Sequence, residues 1–346
     1  MKVKVEVFDP ESTDDAQWDI ILDFFEAFWL ELNPDDPLPS RDVVKKEFYL
    51  PNPDLRHSRW IVFTPDNARV IGYGRVSVYK ESSPGYEQNK HVAFGTLFVD
   101  AQYRRSKIGT HLLDTLVPEV VKESKTVFQV GALNPAGIAF CEAFGGLSAL
   151  TEEESRLKIE EIDWDMIENW RVEGRRRAQG VTIEKFETVD EKDIVNYCNL
   201  YTEVLNQVPK GETEWEAKET PETRREREER EKELGTTWTT MITREKDGAI
   251  SGLTETTFRP DRSSLLYQGL TGVQEKYRSR GLGKWLKAEM MTFVKNNLPS
   301  VRSVATDFAL TNKPMISINR RLGFRFYKKY VEYKFDIDDL VNTMKR

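Results

Sequence analysis

Histidine and cysteine are scarce in this 346-residue chain, with three of the first (His57, His91, His111) and two of the second (Cys141, Cys198). They do not fall at ligand spacing, so no metal site is expected. Two cysteines in a chain of this size, with no apolar leader in the alternating start Met1 to Val7, are expected to remain thiols. No apolar run approaches the ~18 residues a membrane span needs. Positive charge is not in excess either: 51 Lys and Arg stand against 58 Asp and Glu, a formal net charge of −7. Nucleic acid as the main partner is therefore not expected. The expectation is a soluble, cytoplasmic protein, monomer or homodimer, with no membrane partner. What is present is 39% hydrophobic and 11% aromatic residues, enough for two cores, and a length that fits two domains of ~150 residues each.

An internal repeat sets the architecture. Tyr103 to Leu113 aligns with Tyr277 to Lys287 at an offset of 174 residues, Asn33 aligns with Asn206 at 173, and Trp60 with Trp238 at 178. Three segments in one order at nearly one spacing indicate two homologous halves, placed at 1–154 and 181–346. The charged segment 155–180 between them reads as a bridging helix, with Trp164, Ile167 and Trp170 at helical spacing. Each half reads as a strand, a helix, a second helix, three strands, a turn with its helix, a strand, a short helix and a final strand, a mixed α/β (α+β) pattern. The run Arg224 to Glu233, with opposite charges at i,i+4, is most simply a solvated helix face.

The second copy of the turn, Arg278-Ser-Arg-Gly281-Leu-Gly283-Lys284, follows a β-type run (Leu265 to Val273) and opens a helical pattern (Trp285, Leu286, Met290, Phe293). A glycine turn opening a helix is an anion cradle: bare backbone N–H groups and the positive end of the helix dipole point the same way. The spacing is neither the dinucleotide fingerprint nor the ATP-loop signature. It resembles motif A of the GCN5-related N-acetyltransferases (GNAT), and the tandem layout, with a worn first copy, resembles the mycothiol-synthase-like members. The resemblance implies two tandem GNAT folds, each a mixed, splayed, mostly antiparallel sheet flanked by helices. It implies that residues Ser279, Arg280, Gly281, Leu282, Gly283 and Lys284 hold the pyrophosphate of acetyl-CoA, with charge from Arg278 and Lys284. The edge of Leu270, Thr271 and Val273 would pair with the pantetheine arm, and an N–H near Leu270 or Thr271 would meet the oxyanion.

Asn312-Lys-Pro-Met-Ile-Ser-Ile-Asn319-Arg-Arg-Leu-Gly323-Phe324 resembles motif B. The resemblance gives Asn312 a pantetheine contact; from the residues alone it is an N-cap with Pro314 just inside the helix. Many relatives carry a tyrosine acid seven residues after that asparagine, and here Asn319 stands there, so no general acid is named; Tyr267, Tyr327 and Tyr330 are near it only in sequence. The base is expected at Glu255, a charge inside the run Ile250 to Phe258, or at Asp307; the alternative for Glu255 is a strand glutamate facing solvent or paired with an arginine. In the first half Lys107 replaces the first glycine of the turn, where a side chain disfavours φ > 0, and Cys141 stands at the tyrosine position, more simply a buried small hydrophobe. The first half is expected to be weakened or inactive.

The implied activity is direct transfer of an acetyl group from acetyl-CoA to a primary amine of a small molecule or peptide, in the C-terminal half. A sensor that binds acetyl-CoA without turnover is the alternative that the missing tyrosine supports. Nothing in the sequence names the acceptor.

Overall fold

The computed structural model describes residues 3–345, and the chain divides into two compact units. The first holds residues up to Thr151, then Lys210–Glu216, then residues from Tyr330 onward; the second holds Glu152–Pro209 and Ala217–Lys329.

In the first unit the order is β1 (Val5–Val7), α1 (Asp15–Leu32), α2 (Arg41–Tyr49), β2 (Leu55–Phe63), β3 (Val70–Tyr79), α3 (Tyr86–Asn89), β4 (Val92–Val99), α4 (Ile108–Lys122), β5 (Val127–Ala132) and α5 (Pro135–Ala143). Strand β6 (Leu147–Lys158) starts here, and its residues 152–158 belong to the second unit. There follow α6 (Trp164–Arg177), β7 (Thr182–Phe186), α7 (Ile194–Asn206), α8 (Pro221–Glu233), β8 (Thr237–Arg244), β9 (Ile250–Phe258), β10 (Leu265–Val273), α9 (Leu282–Asn297), β11 (Ser303–Ala309) and α10 (Lys313–Leu322). Strand β12 (Arg325–Asp336) starts in the second unit and ends in the first, which also takes α11 (Ile337–Met344).

The first unit's strands run β1-β2-β3-β4-β5-β12, and the second unit's β6-β11-β10-β9-β8-β7. Within each, one pair is parallel, β4 with β5 and β10 with β11. Each half of the chain therefore gives its last strand to the other unit's sheet: β12 pairs with β5 from Val331↔Ala132 to Asp336↔Val127, and β6 with β11 from Ser303↔Lys158 to Ala309↔Glu152. The repeat boundaries at 154 and 181 describe the chain, while the compact units redistribute it. Residues 155–158, expected in the bridging helix, are strand, because they complete the β11 ladder; the helix itself spans Trp164–Arg177. The expected strand 2–8 spans Val5–Val7, and Met1 and Lys2 lie outside the described residues.

Local chemistry explains the helix ends. Asp14 caps α1 in a capping box with Gln17, Thr220 caps α8 with Pro221 at its first position, and Gly323 ends α10 at φ +102°. Apolar residues at i, i+3 and i+4 face inward. Trp18, Ile21 and Leu22 of α1 join Ile61, Val70 and Tyr73 in one core, and Leu112, Leu116 and Val120 of α4 face Phe128, Tyr333 and Phe335 in another. Each large side chain buried this way contributes about 1.5–3 kcal/mol. In the second unit α9 lays Leu286, Met290 and Val294 against Leu266 and Val304, and α7 lays Tyr197, Leu200 and Val204 near Ile242 and Leu253.

Candidate active site

In the second unit β10 and β11 pair over only three residues, Leu265 to Tyr267 against Ser303 to Ala305. Beyond that the strands part, after a last link from Thr306 Oγ1 to the carbonyl of Gln268 at 3.0 Å. On its other side β10 carries a bulge: Gln268 pairs with Thr256 and Thr271 with Thr254, so one extra residue lies between them. Such a bulge breaks a ladder locally and re-aims backbone groups. It falls at Gly269 and Leu270, within the segment expected to face the pantetheine arm. In the first unit β4 and β5 also part, after Gly95↔Val130, but β3 and β4 stay in continuous register.

The turn before α9 has two residues in the left-handed region, Ser279 (φ +65°) and Gly281 (φ +84°), and Gly281 is the N-cap with no side-chain cap bond. The first-turn N–H groups of Leu282, Gly283 and Lys284 have no intrahelical acceptor, which suits an anion. The cations nearest in sequence are engaged elsewhere. Arg278 donates to the Val273 carbonyl at 3.2 Å and to Gln207, Arg280 pairs with Glu245 at 2.8 Å, and the Lys284 ammonium lies 5.7 Å from the Trp170 ring centre. The cation beside the turn is Arg177, from the last turn of α6. It donates to the Ser279 carbonyl, and Nη1 lies 3.7 Å from where a side chain on Gly281 would begin. Sequence reading passed over it; the run Arg175-Arg-Arg177 at a helix end was the available signal. Asn312 caps α10, its Oδ1 accepting from Met315 N at 3.3 Å. A cavity of about 450 Å³ lies beside the turn, lined by Glu203, Gln274, Glu275 and Lys276; none of these belongs to the splay.

Glu255 is paired with an arginine. It is 3% exposed, and its Oε1 accepts from Arg224 at 3.1 Å, Thr240 at 3.2 Å and the Tyr197 hydroxyl. Arg224 is itself buried, stacked 3.8 Å over Trp238 and paired with Glu228 at 2.9 Å. Burial opposes its charge, but Tyr197, Glu255 and Glu228 outweigh that and hold its pKa above the usual arginine value. Burial and then the Glu255 charge push the Tyr197 phenol well up, so it stays a neutral donor. The Glu255 Oε1 is thus tied to one cation and two hydroxyls. Arg224, expected on a solvated helix face, is buried by this pairing. Asp307 is exposed on β11 opposite Glu154. Asn319 is wholly buried, its carboxamide atoms without hydrogen-bond partners. Tyr267 is exposed on β10, Tyr327 lies under Arg156 (4.5 Å), and Tyr330 belongs to the first unit.

The first unit repeats the turn without its glycine. Arg105 (φ +63°) and Lys107 (φ +64°) hold the left-handed positions, with Lys107 as N-cap of α4. The expectation that a side chain would disfavour φ > 0 is met by strain rather than by a changed path. Arg104 donates to the Val99 carbonyl at 3.2 Å and to Glu31 at 2.5 Å, and Glu31 also accepts from Asn134 Nδ2 at 3.0 Å. Glu31 thus links the turn to the motif-B asparagine, and Phe28 stacks on Phe98 of β4 at 3.8 Å. Burial, then Glu332 and Glu142, push the Cys141 thiol up to about 12, so it stays protonated in its core.

Residues 18–145 match the acetyltransferase (GNAT) family. Across nearly the whole chain (97%) the structure resembles a tandem GNAT protein from the clavulanic acid biosynthesis pathway, solved without acetyl-CoA: TM-score 0.75, 19% identity, 99% of that chain covered. The fold is a tandem GNAT fold. A GCN5-related N-acetyltransferase from Sphaerobacter thermophilus matches over 97% of this chain and 96% of its own, with TM-score 0.67 and 16% identity. A glucosamine N-acetyltransferase region of a fungal multi-domain GH3 β-N-acetylglucosaminidase matches over 96% of this chain and 38% of its own, with TM-score 0.64 and 12% identity. At these identities the likeness is one of fold. No curated protein sequence matches the chain. The GNAT family match falls on the first half, although the glycine-complete turn is in the second. Among the described residues no helix is long and apolar enough to cross a membrane.

Proposed function

We propose that this tandem GNAT protein is an acetyl-CoA-dependent N-acetyltransferase that acts on a primary amine of a small molecule or peptide, with its cofactor site in the second unit. One observation carries this reading: a left-handed turn through Ser279 and Gly281 opens α9 next to the free edge of β10. The N–H groups of Leu282, Gly283 and Lys284, helped by Arg177, would hold the pyrophosphate. The free edge at Leu270, Thr271 and Val273 would hold the pantetheine amides as a strand holds its neighbour. Asn312 keeps Oδ1 for its cap and offers Nδ2 to the same arm. When bound, acetyl-CoA supplies an activated thioester. The N–H groups of the bulge at Gly269 and Leu270 supply donors where negative charge develops on the acyl oxygen. An ammonium with its usual pKa must lose a proton before it attacks, and with Glu255 Oε1 committed to Arg224, Asp307 is the carboxylate left for that task.

The second reading, a sensor that binds acetyl-CoA without turnover, is favoured by the Glu255–Arg224 pair and by Asn319 at the tyrosine position. Calorimetry and thiol release separate them. Gly281→Glu is expected to abolish acetyl-CoA binding, since a carboxylate would stand at the diphosphate, whereas Lys107→Glu is expected to cost far less. Unchanged affinity in the Gly281 variant would remove this site, and an equal loss in both would move the site to the first unit. Binding with no free thiol across a broad amine panel would select the sensor.

A further inference from the structure

Two arginines oppose each other in the first unit where the second unit has a neutral arrangement. Arg59 of β2 pairs directly with Arg75 of β3. Both point to the face that carries Ile61 and Tyr73, under α1 and α2. Like charges set directly across a ladder destabilise it, and half-buried guanidinium groups stay charged. Among the described residues neither arginine forms an ion pair, and the Nε of each is buried with no hydrogen-bond partner; Arg59 is hydrogen-bonded to the Tyr73 hydroxyl, a neutral group that leaves the double positive charge uncancelled. Arg75 has one donor bond, to Thr96 Oγ1 at 3.0 Å, and Arg59 lies 5.6 Å from the Phe48 ring centre. Tyr73 beside them is held neutral by burial. The ion-paired carboxylates of α1 go to Arg41, Lys45 and Arg104. Asp9 acts on Arg59 only at longer range.

The β2–β3 and β8–β9 ladders supply an internal control when matched by register, which sets Arg59 on Thr240 rather than on Thr237, the match given by the Trp60–Trp238 spacing. Val62 pairs with Gly72 in the first unit and Thr243 with Gly252 in the second. Three residues along from these, Arg59↔Arg75 corresponds to Thr240↔Glu255. In the second unit the charge at this place is cancelled within the unit, Glu255 by Arg224. In the first unit α2 brings the Phe48 ring to Arg59. The same backbone position is neutral in one copy and doubly positive in the other.

We infer that Arg59 and Arg75 form a binding site in the first unit for the oxyanion, carboxylate or phosphate, of a small molecule. A planar guanidinium pair matches the fork of such a group, and charge-assisted bonds to it are short and strong. The surrounding rings of Phe48 and Tyr73 would cover the apolar part of the ligand. The inference is independent of acetyl transfer, because the probes are anions alone.

The test is calorimetry with inorganic phosphate and with succinate, against sodium chloride at matched ionic strength, on the full chain. Saturable binding of at least one anion is expected, and it should weaken about tenfold or more in Arg59→Gln and in Arg75→Gln. Arg41→Gln, whose guanidinium is already paired with Asp23 and Glu26, should bind as wild type. Succinate alone binding assigns a carboxylate, phosphate alone a phosphate. The site is overturned if neither anion binds saturably to the wild-type chain, or if the Arg59 and Arg75 variants bind as it does. A parallel arm in the Gly281→Glu chain, whose second-unit turn no longer takes an anion, is expected to keep the binding, and its loss there would overturn the site. Arg59→Lys and Arg75→Lys, which keep the charge but not the fork, replace a Gln variant that folds poorly and should also weaken binding.

Discussion

Lys287 is 1% exposed on α9, with its ammonium 5.9 Å from the Phe324 ring centre and no ion pair or hydrogen bond among the described residues. Burial alone pushes its pKa down from 10.5 to about 7. The unfolded chain keeps the usual value, so between about pH 7 and 10.5 the unfolded state binds the extra proton and stability rises with pH. Below about 7 both states are protonated and the dependence ends. Lys287→Met, of similar length, should therefore stabilise the chain at pH 7 by about 2 kcal/mol and flatten that rise. Urea midpoints at pH 7 and 9.5 for both chains measure it; parallel shifts would mean the amine is solvated. At this scale the sequence was only partly legible. Lys287 sits in a helix whose pattern reads as amphipathic, and nothing local says that its face is covered by Phe324. Glu255 stood out as a charge within a strand, but its partner Arg224 looked like one more residue of a solvated charge run. Burial depends on what packs above a side chain, and that is not written in its neighbours along the chain.

The turn before each long helix is the element that ties sequence to proposed chemistry. Both copies hold two left-handed residues, yet only the second has a glycine at the cap. A residue with a Cβ pays roughly 1 kcal/mol for that conformation. Lys107→Gly should thus stabilise the first unit by about 0.5–1 kcal/mol, and Gly281→Ala should destabilise the second by about 1 kcal/mol. Denaturant unfolding followed by the tryptophans reads both; a loss in Lys107→Gly would show that the lysine side chain does more for the fold than its backbone costs. Helix and strand order was legible because amphipathic spacing and caps are local. The bulge between Gln268 and Thr271 was not, because it exists only relative to β9. Helix α11 was missed too: its Asp336 cap and its apolar Ile337 and Leu340 follow a strand with no turn signal between.

At the scale of the molecule, two homologous halves were legible from the repeat, but the exchange of last strands was not. A strand's own sequence says which face is apolar, not which sheet it joins, and β6 and β12 are equivalent elements of the repeat. The consequence is an obligate dependence of the first unit on the end of the chain. Val331, Tyr333 and Phe335 of β12, with Ile337 and Leu340 of α11, are buried in the core built on α4 and Phe128. Ending the chain after Lys329 removes these five side chains, each worth about 1.5–3 kcal/mol of burial, and leaves β5 an open edge along Val127 to Ala132. That loss is comparable to the whole stability of a domain, ~5–15 kcal/mol. The truncated chain should therefore lose amide protection in β5 and α4, while β8 and β9, whose ladder partners are all retained, stay protected. A fragment of residues 1–154 should likewise fail to fold alone and should regain β5 protection when a peptide of residues 325–346 is added. Hydrogen exchange by mass spectrometry reads each segment separately. Cooperative folding of the 1–154 fragment without the peptide would mean that β6 can close its own sheet, and that the exchange of strands is a choice between two nearly equal pairings rather than a requirement of the first core.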